Sequence, residues 1–421
     1  MFQRKTPLIL GLAIIIMLAS ITSIYYIMSN NPSSVKGEPL AIDTYATVES
    51  VSSLSEAIND FSCNLFKEIG TKSDQNHFFS PYSIFVALAM TYEGAQDQTA
   101  EELNNLLLFP QNDETSLCSF GRIYNLLNQK KEYTLNTANA LWVKMDFPFL
   151  EDYLNFIKNY YMGKATEVDF SNADSASKMI NDWVASQTNN KITDLVSPDS
   201  IDPLTALILT NAIYFKGTWV HEFDPELTID SDFELASGEL VTVPMMHTDS
   251  EISCNYTETD DAQILELPYK GNTVSMIIIL PKTNNISIAK ETINPEIISS
   301  FVNDFSERSI DVSLPKFSTK TEYSLKETLI DMGLNVSFTP SADFSGITGH
   351  KDLFIDKVIH KAYIEVNEEG TEAAAATSVH MVLTSMPMTT TFHADHPFVF
   401  VLYHKETGTI LFIGELNDPS E

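Results

Sequence analysis

The chain has 421 residues and carries 57 Asp and Glu against 25 Lys and Arg, so its formal net charge is −32. Nucleic-acid backbones and anionic membrane surfaces attract basic proteins, and an acidic chain is therefore not expected to bind either through its charge. Hydrophobic residues make up 44% of the chain, which is ample for a core, and the three widely spaced cysteines form neither a disulfide framework nor a metal-binding pattern.

Residues 1–30 contain an almost unbroken apolar run, residues 7–28, behind two basic residues. A helix of this length spans about 33 Å and can cross the hydrocarbon layer of a membrane. We predict a signal-anchor helix that exports the rest of the chain and tethers it outside the cytoplasm. A secretory signal cut near residues 20–23, which would release a secreted protein, is the alternative. Residues 1–30 hold two bases and no acids, so the exported body has 57 acids against 23 bases, a net charge of −34.

Residues 31–52 are rich in Ser, Pro, Thr and Val, which is typical of a flexible linker. The folded body is predicted to span residues 53–421. It begins at an apparent capping box, Ser53-Leu-Ser-Glu56, ahead of apolar residues at helical spacing. Residues 81–108 then predict two helices separated by a break at Gly94.

From residue 208 onward, β-branched and aromatic runs separated by turn residues predict strands. Polar residues alternate with apolar ones between Lys361 and Asn367, a pattern typical of a half-buried strand. A helix-rich first half followed by a strand-rich second half, without a repeat or a βαβ rhythm, indicates an α+β fold. No linker rich in Gly, Pro or charge divides residues 53–421, so one large domain is predicted.

Motifs for catalysis and cofactor binding are missing from the sequence: there is no GxSxG elbow, HExxH pair, Walker loop or GxGxxG fingerprint. His393-Ala-Asp-His396 precedes a proline and an apolar strand, with no further ligand residue nearby, and predicts a turn rather than a metal site. We therefore expect no enzymatic activity, no cofactor and no bound metal.

The segment from residue 368 to residue 392 joins two predicted strands and is unusually long for a loop inside a compact domain, which makes a functional role the usual explanation. Its alanine run could form an ordinary helix. As a strand, it would present small uncharged side chains such as Thr371 and Thr377 on one face and the charge of Glu372 on the other. Such a segment could add itself to a sheet.

Over residues 53–417 the chain resembles the serpin family. The matching motifs occur in the family's order: Phe79-Ser-Pro-Tyr-Ser-Ile84 with Ala87-Leu-Ala-Met90, Leu209-Thr-Asn-Ala-Ile-Tyr-Phe-Lys-Gly-Thr-Trp219, Phe223-Asp-Pro225, Val243-Pro-Met-Met246, Leu314-Pro-Lys-Phe317, Asp343-Phe-Ser-Gly346, Val358-Ile-His-Lys-Ala362, Glu368-Glu-Gly-Thr-Glu-Ala373 and Ala394-Asp-His-Pro-Phe398. The resemblance implies three β-sheets, eight or nine helices, an exposed reactive-centre loop and a monomer. It also implies, for inhibitory members, suicide inhibition of serine proteases and less often of cysteine proteases.

Inhibitory serpins need a hinge that can enter the central sheet at the start of the loop. The matching residues here are Glu368, Gly370, Thr371, Ala373, Ala374, Ala375 and Ala376. Gly allows the backbone to turn, and the alanines can pass between strands without a clash. Non-inhibitory serpins, which act as carriers, chaperones or storage proteins, tend to have bulky or charged hinge residues, so this hinge favours inhibition.

Counting the family's usual seventeen residues from the start of the hinge places the scissile bond at Thr384–Ser385. Counting back from the strand after the loop moves it to Met386–Pro387, a poor protease substrate, and Leu383 and Met381 remain alternatives. The loop contains no Lys or Arg, which disfavours a trypsin-like target. We expect an elastase-like or subtilisin-like serine protease.

Two further sets of residues match positions that control loop insertion in the family. The first corresponds to a buried polar cluster beneath the sheet that opens: Ser80, Ser83, Asn211 and His360. The second corresponds to the region where insertion begins: Trp219, with Lys316 paired to Glu368. We expect both sets to control insertion rather than to contact the protease.

The family's heparin-binding helix would fall near residues 115–131. Its basic residues here, Arg122, Lys130 and Lys131, form a weak set in so acidic a chain. The sequence therefore predicts no heparin activation.

Overall fold

The computed structural model describes residues 40–70, 75–109, 114–129, 132–296, 298, 305–371 and 390–420. Contacts divide the chain into residues 1–40 and a compact unit, Ala41–Glu421. The apolar segment 7–28, the hinge residues Ala373–Ala376 and the bond Thr384–Ser385 lie outside the described residues. Within the described part, no helix is both long enough and apolar enough to cross a bilayer.

Helix α1 (Val48–Gly70) begins five residues earlier than the predicted capping box at Ser53. The box that starts the helix is Thr47–Ser50: the Thr47 amide donates to Ser50 Oγ over 2.9 Å, and the Ser50 amide donates to Thr47 Oγ1 over 3.1 Å. Ala41 is also buried, with its amide bonded to Asn125 Oδ1. Residues 41–52 therefore belong to the compact unit, and the predicted linker boundary at residue 53 is too late.

The predicted helix, break and helix over residues 81–108 are confirmed as α2 (Pro81–Tyr92) and α3 (Asp97–Leu107). Helix α2 is almost entirely buried and is capped by Ser80 Oγ, which accepts from the Ser83 amide. The described residues hold six further α-helices: α4 (Glu114–Asn128), α5 (Glu151–Phe156), α6 (Ala173–Gln187), α7 (Ile286–Thr292), α8 (Lys326–Asp331) and α9 (Ser345–Thr348), with α5 continued by a π-helical turn at Ile157–Tyr161.

A six-stranded central sheet holds, from edge to edge, β11 (Phe317–Ser324), β12 (Ile355–Asn367), β13 (Gly370–Thr371), β4 (Leu207–Thr218), β2 (Tyr133–Lys144) and β3 (Lys164–Val168). Neighbours β12 and β4 run parallel, whereas β2 and β4 are antiparallel. The two residues of β13 lie between β12 and β4 at one end of the sheet only.

The other ladder contains ten strands in the order β1 (His77–Phe79), β16 (Thr409–Leu416), β15 (Phe398–His404), β9 (Val274–Pro281), β8 (Ala262–Pro268), β7 (Ile252–Glu258), β10 (Ser306–Pro315), β6 (Leu240–His247) and β5 (Ile229–Glu234), with β14 (Thr390–His393) on β10. Three sheets are expected, but hydrogen bonds join two of them into this one ten-stranded sheet. The junction is β10, whose residues 306–310 pair with β7 and whose residues 313–315 pair with β6. The α+β prediction is confirmed.

The main core lies between the two sheets, where α2 contacts β2 and β4 of the central sheet on one side and β16 of the ten-stranded sheet on the other. Phe78 stacks on Phe412 and Phe85 packs edge-on against Phe61, each pair being fully or almost fully buried. All three cysteines are buried and unbonded. Helix α2 therefore supports the central sheet at β2 and β4.

Candidate functional site

Gly370 and Thr371, two residues of the predicted hinge, already lie in the central sheet as strand β13. Gly370 pairs with Asn367 of β12 and Thr218 of β4, and Thr371 pairs with Val366 and Gly217 of the same strands. Below this point β12 and β4 pair with each other directly, from Tyr363 opposite Tyr214 down to Ile355 opposite Leu207. The two strands thus separate at one end, and β13 fills the gap.

Gly370 can occupy this gap because it has no side chain. Its φ of +149° lies in the region that favours glycine, and a Cβ atom there would approach Gly217 O to 2.1 Å and Thr218 Cα to 2.7 Å. Any other residue would push β13 away from β4. The predicted need for glycine in the hinge thus has a local steric cause.

Thr371 is completely buried, and its hydroxyl shares a hydrogen bond of 2.8 Å with the hydroxyl of Tyr269. The Tyr269 ring stacks on the indole of Trp219, with 4.3 Å between ring centroids. Sequence reasoning identified Thr371 and Trp219 but missed Tyr269, which lies in no motif. The contact depends on the pairing of strands far apart in the chain.

Trp219 also holds the turn that leads into β13. Its backbone amide donates to Glu369 O over 2.8 Å, and its indole Nε1 donates to Asn367 O over 3.1 Å. The Phe223 amide adds a bond of 2.8 Å to Glu368 O. Three donors from one segment therefore fix the backbone of residues 367–369 and set the direction in which the chain enters the sheet.

The predicted pair of Lys316 and Glu368 is present. Lys316 Nζ lies 2.9 Å from Glu368 Oε2, and Thr228 Oγ1 donates to Glu368 Oε1 over 2.9 Å. Burial alone would raise the pKa of Glu368, but the hydrogen bonds from Lys316, the backbone and Thr228 outweigh burial and lower it. Glu368 therefore stays ionised and anchors the base of the hinge.

The polar cluster predicted beneath the sheet is assembled around one cross-strand pair, His360 of β12 opposite Asn211 of β4. His360 Nδ1 hydrogen-bonds Asn211 Oδ1, and the Ser80 amide donates to His360 Nε2 over 3.1 Å. Asn211 Nδ2 donates to Ser83 Oγ and to Asn139 Oδ1, and Ser83 Oγ donates to Asn139 Oδ1 over 2.8 Å. Asn139, on β2 opposite Asn211, was not predicted.

The protonation state of His360 follows from its partners. Its Nε2 must carry a lone pair to accept from the Ser80 amide, so the proton sits on Nδ1 and points at Asn211. Burial lowers the pKa of His360 to about 3, well below the ordinary value of 6.5. The neutral ring therefore clamps β12 to β4 and both to the start of α2.

The segment after α6 covers the face of β12 next to this clamp. Asp194 bonds Lys320 Nζ over 3.0 Å and accepts from Lys361 Nζ through its backbone oxygen over 3.0 Å, and Lys361 also pairs with Glu322 over 2.9 Å. Lys361, predicted on the wet face of a half-buried strand, is only 3% exposed. Its charge is satisfied by acids more than 35 residues away in the chain, which no local pattern reveals.

The two sets of predicted residues lie on the same strand pair. Asn367 lies seven positions after His360 on β12, which is about 23 Å at ordinary strand rise. The arrangement gives a sheet that is opened at one end by two loop residues and held closed further down by a buried polar cluster. Of the predicted heparin-site residues, only Arg122 is described, and it pairs with Asp43 over 3.4 Å at the surface.

Comparison with known proteins identifies relatives over most of the chain. A family model described as serpin (serine protease inhibitor) matches residues 56–419. An uncharacterized serpin-like protein of Thermococcus kodakarensis is 42% identical, with 87% of this chain and 85% of the relative covered. A leukocyte elastase inhibitor of Xenopus laevis is 39% identical over 87% of this chain and 99% of the relative. The crystal structure of Serpin48 from Tenebrio molitor superposes with a TM-score of 0.80 at 34% identity, covering 87% of this chain and 98% of that one.

Proposed function

The chain belongs to the serpin family, and from this premise we propose that it is an inhibitory member that traps serine-type endopeptidases as a suicide substrate. The observation that carries this inference is the hinge: Gly370 and Thr371 already lie between β4 and β12, and no charged or bulky side chain stands at either position. Non-inhibitory serpins tend to have bulky or charged residues in the hinge.

The reaction starts at the proposed reactive bond. The protease serine attacks the carbonyl carbon of Thr384, an ester forms between that carbon and the serine oxygen, and the amine of Ser385 leaves with a proton. The freed segment then enters the sheet behind Thr371 and carries the bound protease with it. Residues 370–384 span about 50 Å as a strand, so the protease is moved across the body before water can release it.

The sheet supplies the driving force for this movement. Insertion breaks one ladder, the parallel pairing of β12 with β4 from Tyr363–Tyr214 downward, and forms two, one on each side of the new strand. Each hydrogen bond contributes a net stabilisation of about 1 kcal/mol, so an added strand of about thirteen residues contributes on the order of 10 kcal/mol. That is enough to make insertion irreversible on the time scale of deacylation.

An elastase-like or subtilisin-like protease is the proposed target class. Thr384 presents a small uncharged side chain to the protease, and the loop has no Lys or Arg for a trypsin-like pocket. The resemblance to a leukocyte elastase inhibitor at 39% identity supports the elastase-like choice.

We further propose that residues 7–28 anchor the inhibitor outside the cytoplasm. The length and composition of this run support an uncleaved helix, and a body with a net charge of −34 would stay clear of an anionic bilayer surface. Sequencing the N-terminus of the native protein tests this directly. A chain that starts near residue 21–24 would mean a cleaved signal and a secreted inhibitor.

The inhibitory function is tested by incubating the full-length chain with a panel of serine proteases and resolving the products by denaturing electrophoresis. We expect a covalent complex with at least one elastase-like or subtilisin-like enzyme and a released fragment that begins at Ser385. The matched control is Thr371→Arg, which places a charge at a fully buried position and should convert the inhibitor into a substrate. Cleavage of the wild-type loop by every protease without a covalent complex would refute the proposed function.

A further inference from the structure

Tyr269 lies just outside the ten-stranded sheet, and its side chain contacts Phe215 and Thr371 of the central sheet. It follows the last residue of β8, Pro268, and forms an isolated bridge with Trp219. Its amide donates to Val274 O over 3.0 Å, and the next amide, of Lys270, donates to Thr218 O over 2.7 Å. The backbone around Tyr269 is therefore hydrogen-bonded to both sheets.

The ring of Tyr269 is fixed as firmly as its backbone. It stacks on Trp219 at an interplanar angle of 16° and meets Phe215 edge-on at 5.0 Å. It also lies over Gly217, where an added Cβ atom would come within 2.7 Å of Tyr269 Cδ1. Gly217 is the residue of β4 that pairs with Thr371, so the missing side chain leaves the ring room beside the inserted hinge.

The hydroxyl of Tyr269 is completely buried and meets the Thr371 hydroxyl at 2.8 Å. A buried hydroxyl without a partner costs free energy. The Tyr269 hydroxyl therefore stabilises the hinge in the sheet and disfavours the state in which Thr371 has left the sheet. Val would fill the same volume as Thr371 but could not make this bond. The geometry thus discriminates a hydroxyl from an apolar side chain of equal shape.

We propose that Tyr269 is a positioning residue whose hydroxyl receives Thr371 and holds the first two loop residues in the central sheet before the loop is cleaved. Insertion then extends a strand that already exists. Without the hydroxyl, the hinge must first dock, which slows insertion. The effect on inhibition rests on the function proposed above, whereas the docking of the hinge does not.

One hydrogen bond between neutral groups changes an equilibrium by about fivefold. We therefore expect Tyr269→Phe to lower the ratio of docked to undocked hinge about fivefold. In a protease assay, the acyl-enzyme partitions between insertion and hydrolysis. The number of inhibitor molecules cleaved without trapping, per protease trapped, should rise by up to the same factor.

The test is hydrogen–deuterium exchange on the full-length chain, read at the amides of residues 368–371, for Tyr269→Phe, Thr371→Val and the double variant. Each single variant should exchange about fivefold faster than wild type, and the double variant no faster than either single one, because one bond is lost in all three. Thr371→Ser keeps the hydroxyl and should stay close to wild type. Additive effects, or a Ser variant as fast as the Val variant, would overturn the assignment.

A general loss of packing is recognised by exchange in β15 and β16, neither of which pairs with β13. If Tyr269→Phe loosens those strands as well, Thr371→Val decides, since it changes only the loop side chain. If the wild type traps no protease, the proposed inhibitory function is refuted, but the exchange result still stands. If the wild type traps a protease and exchange is unchanged in both single variants, only the proposed role of Tyr269 is refuted.

Discussion

His360 makes the closed sheet sensitive to acid. Its pKa is about 3 in the folded protein against 6.5 in an unfolded chain, so the folded state binds fewer protons. For a histidine whose pKa is depressed by folding, stability is full above about pH 6.5 and falls as the pH drops towards 3. The structural reason is that a proton on Nε2 would face the Ser80 amide, and two donors would then point at each other.

The magnitude follows from the two pKa values. Between pH 7 and pH 5, proton binding to the unfolded chain lowers the free energy of unfolding by about 2 kcal/mol through this one residue. His360→Gln removes the titration while keeping an acceptor for Ser80. Other groups also titrate in this range, but they titrate equally in both proteins. The difference in pH dependence between wild type and variant therefore isolates His360.

The assay is denaturant unfolding of the full-length chain and of His360→Gln at pH 7, 6 and 5. We expect wild type to lose about 2 kcal/mol more than the variant between the two extremes. His396→Gln is a matched control of opposite sign. Burial alone would lower the pKa of His396, but its hydrogen bonds to Asp395 and Pro281 O raise it. If wild type and His360→Gln lose the same free energy of unfolding between pH 7 and pH 5, the reasoning is refuted.

Two further predictions concern other ionisable side chains. Burial raises the pKa of Glu93 to about 7 despite the bond from Tyr161, so the folded state binds more protons, and stability should be full below about pH 4.5 and decline as the pH rises through 7. Glu93→Gln should remove a loss of roughly 2 to 3 kcal/mol between pH 5 and pH 8 in denaturant unfolding, and an unchanged pH profile would contradict this. Lys316→Met and Glu368→Gln should each lower the free energy of unfolding by about 1 kcal/mol, and the double variant should lower it by no more. A doubled loss in the double variant would show that the two charges do not interact.

Much of the fold could be read from local patterns, because those patterns depend on residues close in the chain. The break between α2 and α3 lies at Gly94, and most strands follow residue 206, where the composition becomes β-rich, although β2 and β3 lie before that point and were not predicted. The start of α1 could not be settled this way, since Ser53–Glu56 matches the sequence signature of a capping box and Thr47–Ser50 does not. Only the burial of Ala41 and its bond to Asn125 favour the earlier one.

The site residues that lie in sequence motifs were predicted, and those outside the motifs were not. The cluster of His360 with Asn211 and the pair of Lys316 with Glu368 were expected from the resemblance, and the structure brings both together. Asn139, Tyr269 and Thr228 were missed, because each joins the site through strand register or through a turn between sheets. A buried polar residue on an otherwise apolar strand, such as Asn139 within β2, is the one signal that could have been noticed.

The register of the hinge predicts what happens to the polar cluster when the loop enters. Thr371 lies opposite Val366 and Gly217, so six further residues of an antiparallel strand bring residue 377 opposite both His360 and Asn211. Residue 377 is Thr, outside the described residues, and an even spacing puts its side chain on the same face as Thr371. We expect its hydroxyl to take up the bonds that His360 and Asn211 give each other in the closed sheet.

Without that hydroxyl, insertion would leave an imidazole and an amide buried without partners, at a cost of about 1 to 3 kcal/mol for each. Thr377→Val should therefore reduce the gain in stability that follows cleavage of the loop, whereas Thr377→Ser should preserve it. The measurement compares the unfolding midpoints of cleaved and uncleaved protein for wild type and both variants. An equal gain in all three would mean that the inserted strand takes another register or that the cluster finds its partners elsewhere.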